Sequence, residues 1–211
     1  VNNMKEGQED IYYITGTSLD ETLKSPYLEA FKEKDYEVLI MLDDIDDVIM
    51  SSFEYKGKKF KSAIKGDVTL DKSEKEEKEK AGKKYRKLLD LIQGRLDDVK
   101  EVRLSGRLKD SACCLVGDEG EMDPQMEKLL KSMGQDVPER KRILEINPSH
   151  PIFEAMNKIF EEDRKSKILE DYTDLLYDQA LLLEGSKPKD SAAFAKAISR
   201  LMVENVQHIK T

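Results

Sequence analysis

The sequence predicts an α/β unit followed by an α+β domain that ends in a helical hairpin. Three observations carry this reading. β-rich runs alternate with helical stretches up to about residue 64, a block of nearly pure Glu and Lys follows, and two helices with wide apolar faces close the chain.

In the first unit, IYYIT at 11–15 is β-branched and aromatic and is bounded by Gly16. SPYLEAFKEK at 25–34 reads as a helix with Ser25 as N-cap and Pro26 in its first position. EVLIML at 37–42 is almost wholly apolar, the pattern of a strand covered on both faces. DDIDDVIMSSFEYK reads as a helix whose first-turn acids complement its dipole. KKFKSAI at 58–64 alternates as an edge strand does. The order β-α-β-α-β predicts a small three-layer α/β/α unit on a parallel sheet.

The character changes over residues 65–84: DKSEKEEKEKAGKK at 71–84 carries almost no apolar side chain, and Glu and Lys recur there at helical spacing. Apolar residues return at Tyr85, Leu88, Leu89, Ile92 and Leu96. The charge run therefore reads as the first turns of a helix, and the domains divide as 1–70 and 71–211. From there the pattern is α-β-β-α-β-α-α-α. Strands are expected at 100–105, 112–117 and 142–146, the first two set around a turn. Helices are expected at 122–133, 151–161, 166–184 and 190–207, with Gly134 and Gly185 as stops.

Composition excludes several classes. Of 211 residues, 38% are charged, and the net charge is -8. That balance argues against a nucleic-acid partner held through its phosphates. No apolar run reaches the roughly 18 residues of a membrane span, and the start of the chain is no signal peptide. A cytoplasmic protein is expected. The two cysteines, Cys113 and Cys114, are adjacent in a strand, so their side chains point to opposite faces; two buried thiols are expected rather than a disulfide.

Catalytic groupings are not found. His150 sits at a helix start, where it serves the turn, and His208 near the end of the chain; neither has a nucleophile at a diagnostic spacing. The acids at 43–47 lack the Gly and terminal Glu of a calcium loop, so no metal is expected. Gly117 to Gly120 is not a phosphate-cradling loop.

Two apolar faces stand out. Met122, Met126, Leu129, Leu130 and Met133 form one stripe at helical spacing. Methionine is unbranched and polarisable, so such a stripe suits varied partners as well as a core. The terminal helices carry wide faces too: Ile168, Leu169, Tyr172, Leu175, Leu176, Leu182 and Leu183 on the first, and Phe194, Ala197, Ile198, Leu201, Met202 and Ile209 on the second. Small residues such as Ala180 permit close approach. One hairpin leaves a face uncovered, whereas two related by a two-fold make a four-helix bundle. The residues alone leave open that these faces pack within the chain. They also leave open an α/β enzyme with its site near Thr15, Gly16 and Thr17, at the carboxy ends of strands 11–15 and 37–42, or a purely structural adaptor.

The runs VRLSGRLKDSACCLV, DEGEMDPQMEKLLKSMGQ and ILEINPSHP resemble the carboxy-terminal dimerisation domain of the heat-shock protein 90 chaperones, especially their bacterial branch. DIYYITGTSLDETLKSPYLEAFKEKDYEVLIMLDDIDD is similar to the last α/β segment of the family's middle domain, and LLYDQALLLEG with AISRLMVENV to its dimerisation hairpin. At 111–113 the chain has Ser-Ala-Cys where a proline commonly follows the serine, and no acidic Met-Glu-Glu-Val-Asp tail is present. A bacterial protein is implied first and an organellar relative second. The resemblance implies a homodimer through Leu175, Leu176, Ala180, Phe194, Ile198, Leu201 and Met202. It implies non-native client proteins as partners of Met122, Met126, Leu129, Leu130 and Met133. The family's ATP and magnesium site and its catalytic arginine lie in parts not represented here. No cofactor and no ATPase activity are therefore expected of this chain.

Overall fold

Ile11–Thr15 (β1) pairs in parallel with both Val38–Met41 (β2) and Lys58–Ser62 (β4), so the expected parallel core of the first sheet is present. The computed structural model describes residues 1–43, 45–50, 53–70, 72–122, 124–138 and 140–209. Between β1 and β2 lie a short helix, Leu19–Leu23 (α1), a 3-10 turn at Pro26–Leu28, and Glu29–Glu33 (α2). Ser25 caps the 3-10 turn by accepting from the Tyr27 amide at 3.4 Å. The helix after β2 is shorter than the sequence suggests, Asp46–Met50 (α3). Glu54–Tyr55 (β3) then turns back antiparallel onto β4. The turn is Lys56-Gly57, with φ of 51° and 73°; two successive left-handed residues are what a tight two-residue hairpin requires. The sheet order is β2-β1-β4-β3. β2 is thus an edge strand with Leu39 exposed, which corrects the expectation of cover on both faces.

The charged run folds as the start of one long helix, Lys72–Arg95 (α4), whose later turns bury Tyr85, Leu88 and Ile92. A second sheet follows from Val99–Leu104 (β5), Cys113–Val116 (β6) and Arg142–Ile146 (β7). Its order is β5-β7-β6, so β7 lies between the two strands that the sequence places around a turn. β7 runs parallel to β5 and antiparallel to β6. Pro124–Ser132 (α5) connects β6 to β7 and ends at Gly134, where the Gln135 amide donates back to the Leu130 carbonyl at 3.0 Å. Pro151–Glu162 (α6), Lys167–Leu183 (α7) and Ser191–Ile209 (α8) complete the chain. His150 Nδ1 accepts from the Ile152 amide and so caps α6, while Asp190 caps α8 through the Ala192 and Ala193 amides.

The second sheet is buried on both faces, and its period of two sorts its side chains between two cores. Leu144 and Ile146, with Cys113 and Leu115, face α4, α6 and α7. Ile143, with Cys114 and Val116, faces Tyr12 and Ile14 of β1 and Tyr27, Leu28 and Phe31. The adjacent cysteines are accordingly free, buried and on opposite sides. Burial pushes the Cys113 thiol up to about 12 and that of Cys114 well above its ordinary value.

Candidate functional site

Glu145 lies in the middle of β7 with no exposed surface, which demands cations in reach. Arg107, also 0% exposed, donates from Nε to Glu145 Oε2 at 2.9 Å, and Arg103 donates to Oε1 at 2.9 Å. Ser105 Oγ donates to Oε2 at 2.8 Å. The other end of the Arg107 guanidinium reaches the Ala63 and Gly66 carbonyls, just past β4. Burial works against the Arg107 charge, yet Glu145 outweighs it and holds the group above its ordinary value. A second tie runs the other way: Glu29 of α2 accepts from the Lys109, Asp110 and Ser111 amides, at 2.6 Å from Lys109 and 2.9 Å from Asp110. Tyr27 Oη donates to the Leu115 carbonyl at 2.6 Å. The two parts of the chain are thus joined by a buried, hydrogen-bonded seam. Sequence reasoning missed it. One signal was available: a Glu inside an otherwise apolar central strand must have a cation partner.

α5 stands apart from both cores. Met126 is 9% exposed and Glu127 7%, while Met122, Leu129 and Leu130 are partly exposed and Met133 is 67% exposed. Met126, named above as a client contact, is thus covered within the chain. The helix is held on the side where Arg142 of β7 donates to Glu127, the neighbour of Met126, and Met133 lies past the last turn. Met122 borders a cleft of about 620 Å³ whose walls include Tyr13, Phe53 and Phe60, with Lys59, Lys61 and Arg140 at its polar side. Of these, Phe53 is exposed and Phe60 partly so; they extend the apolar surface beyond α5 and were not picked out from sequence.

The hairpin divides sharply. Leu175, Leu176 and Ala180 of α7 are buried inside the chain; Leu176 and Ala180 belong to the core beneath the second sheet, and Cys113 Sγ donates to the Leu176 carbonyl at 3.1 Å. That corrects the expectation that these three side chains face outward to a partner. On α8, Phe194, Ile198 and Leu201 are partly exposed, and Met202, Val203 and Val206 lie open, Met202 at 65%. No described side chain of α8 is buried. An ion pair from Arg200 to Asp171, at 2.8 Å, holds α8 to α7.

At the carboxy end of β1 a cleft of about 740 Å³ is lined by Thr15, Gly16, Thr17, Tyr27, Leu115, Leu182 and Leu183 among others. Its lining includes no histidine or cysteine, and Ser25 there is engaged as a cap. Among the described residues no group of three or more His, Cys, Asp and Glu is placed to hold a metal ion. Asp44 and the side chains of Asp47 and His208 lie outside the described residues. Among the described residues no helix is long and apolar enough to cross a membrane.

A family model described as Hsp90 protein matches residues 1–211. Chaperone protein HtpG of Geobacter metallireducens is 50% identical over 210 residues, covering 96% of this chain and 32% of that protein. The protein of the same name from Streptomyces coelicolor is 42% identical over 205 residues, covering 94% and 32%. That from Mycobacterium tuberculosis is 41% identical over 213 residues, covering 98% and 33%. The chain spans about a third of the length of the curated relatives it matches. Matched from its first residue to its last, the chain belongs to the Hsp90 protein family.

Proposed function

We propose that this chain joins two protomers of a chaperone and offers an apolar surface to non-native client proteins. Residues 1–70 are read as the end of a middle domain and 71–211 as the dimerisation domain. ATP and magnesium are handled elsewhere in the longer protein, in the cytoplasm, and this chain neither binds nor hydrolyses ATP. The observation that carries the reading is α8. It is a 19-residue helix whose described apolar residues find no full cover within the chain. Exposed apolar patches of that kind mark interaction sites on soluble proteins. A second hairpin brought up by a two-fold axis would cover it and make a four-helix bundle, in which Phe194, Ile198, Leu201 and Met202 meet their counterparts. Leu175, Leu176 and Ala180 act behind that contact by fixing α7 on the sheet.

The client surface is read as Leu129, Leu130 and Met133 with Met122 and the cleft beside Phe53 and Phe60. Membership of a family whose relatives are named chaperone proteins supports this over an enzyme. Dimerisation makes two distant heads an intramolecular pair at high effective concentration. Sedimentation velocity at micromolar concentration tests the first half: a dimer is expected, and an obligate monomer sinks it. Calorimetry with magnesium-ATP tests the reading that nucleotide is handled elsewhere, with no heat of stoichiometric binding expected.

A further inference from the structure

Arg142 opens β7 and points to the same side of the sheet as Leu144 and Ile146. Its Nη1 and Nη2 donate to the two oxygens of Glu127 at 3.2 and 2.8 Å, a fork-to-fork pair. Its Nε donates to Glu184 Oε1 at 2.9 Å. Glu127 belongs to α5, and Glu184 is the capping residue at the end of α7. One nearly buried cation therefore holds carboxylates from two separate elements.

α7 itself is packed into the core and its corner is also tied by the ion pair of Lys189 with Asp98, whereas α5 is held by little else. Among the described residues of α5, Met126 and Glu127 are the buried ones, and neither belongs to a core cluster. Left-handed glycines flank the helix, Gly120 at φ 87° and Gly134 at 78°. A Cβ placed on either would meet nothing within 4 Å, so both joints lie in open space. On the other side, Glu184 also accepts from Ser186 Oγ at 3.1 Å, within the corner that leads through Gly185 to α8.

We infer that Arg142 is a two-way latch, docking α5 through Glu127 and fixing the α7–α8 corner through Glu184, so that release of α5 is linked to engagement of α8. The link to engagement rests on the dimer reading above. When a second copy pins α8, the corner is fixed and Glu184 holds the plane of the guanidinium. The fork then stays aimed at Glu127. When α8 is free, the corner frays, the guanidinium turns about its side chain, and α5 swings out on its glycines. The apolar row of α5 is thus presented in different ways by dimer and monomer.

Hydrogen exchange followed by mass spectrometry on the 211-residue chain tests this. Glu127→Gln is expected to speed exchange of the α5 amides by about tenfold or more, as loss of a charged hydrogen bond does. Glu184→Gln is expected to speed exchange both at 185–190 and in α5, and the two changes together should add less in α5 than their separate effects. Glu184→Gln acting on 185–190 alone overturns the latch. The link to the dimer is read with Leu201→Glu. If that variant sediments as a monomer, α5 exchange should rise severalfold, with no further rise in an Arg142→Met background. Exchange in α5 that is unchanged or slower in the monomer overturns the link and leaves the dimer reading standing. If Leu201→Glu remains a dimer, the assignment of the interface to α8 falls and takes the link with it, and the Glu184→Gln result alone then decides the latch.

Discussion

α7 and α8 are neighbours with similar amphipathic sequences and opposite surroundings. α7 buries Leu169, Thr173, Leu175, Leu176, Tyr177 and Ala180 against the second sheet and its helices. Among the described residues of α8 none is buried, and Met202, Val203 and Val206 face solvent. Helical periodicity is blind to this difference. It says that a face is apolar, and it cannot say whether the cover comes from the same chain or from another copy. The topology decides, because β6 lies directly under α7 and nothing comparable lies beneath α8.

The largest effect expected from this contrast is at Leu176. Leu176→Glu puts an unpaired carboxylate into the core at a site 7% exposed. A cost of more than ~4 kcal/mol is expected, in the range reserved for disrupted cores. Loss of the cooperative thermal transition in circular dichroism would show it. A folded monomer with an ordinary melting temperature would mean that α7, not α8, carries the interface.

Next comes the seam that joins the two sheets. Arg107→Met leaves Glu145 buried with Arg103 and Ser105 as its partners among the described residues. Breaking a buried pair in this way typically costs about 3–5 kcal/mol. Replacing both Arg107 and Glu145 by Met should recover much of that, because no stranded charge remains. Denaturant titration of the two single variants and the double variant checks this. Additive losses would mean that Arg107 contributes through its carbonyl contacts at Ala63 and Gly66 and not through Glu145.

These cases show what the residues do and do not disclose. The helices from α4 onward are legible in order and nearly in extent because caps and stops are local: His150, Asp190, Gly134 and Gly185 act within a few residues of themselves. Strand order is not local. β5 and β6 read as neighbours because 8 residues separate Leu104 from Cys113, yet both pair with β7, which follows some 26 residues after Val116. The Lys56-Gly57 hairpin was hidden by an apolar pattern that also suits a helix, and Glu54–Tyr55 became strand instead. Partners of buried charges are equally remote: Arg107 and Glu145 lie 38 residues apart. The Met stripe is legible as a stripe, but which of its members the chain itself covers is not, because that depends on elements remote in sequence.

A smaller thermal effect is expected on α8. Leu201→Glu should leave the fold intact, since the side chain is only partly covered within the chain. The dimer should dissociate, and the melting temperature should lose its dependence on protein concentration, as mass action requires of an obligate pair. An interface of this kind commonly buries on the order of 2,000 Å² or more, so a charge at its centre is not readily tolerated. A variant that melts and sediments as the parent does would return α8 to the status of an exposed helix without a partner.

The smallest stability effect is expected where α5 turns outward, and there the same helix supplies both arms of the comparison. Met126→Ser removes a buried thioether and should cost about 2 kcal/mol, the low end for such truncations because the site lies outside both cores. Leu129→Ser with Leu130→Ser removes side chains already in partial contact with water, and less than ~1 kcal/mol is expected. The order reverses for function. The outer pair should weaken suppression of a heat-denatured client's aggregation, measured by light scattering, while Met126→Ser should affect it only through the lost stability. If the outer pair destabilises as much as Met126→Ser, the row is core in solution, and α5 has no free face to offer a client.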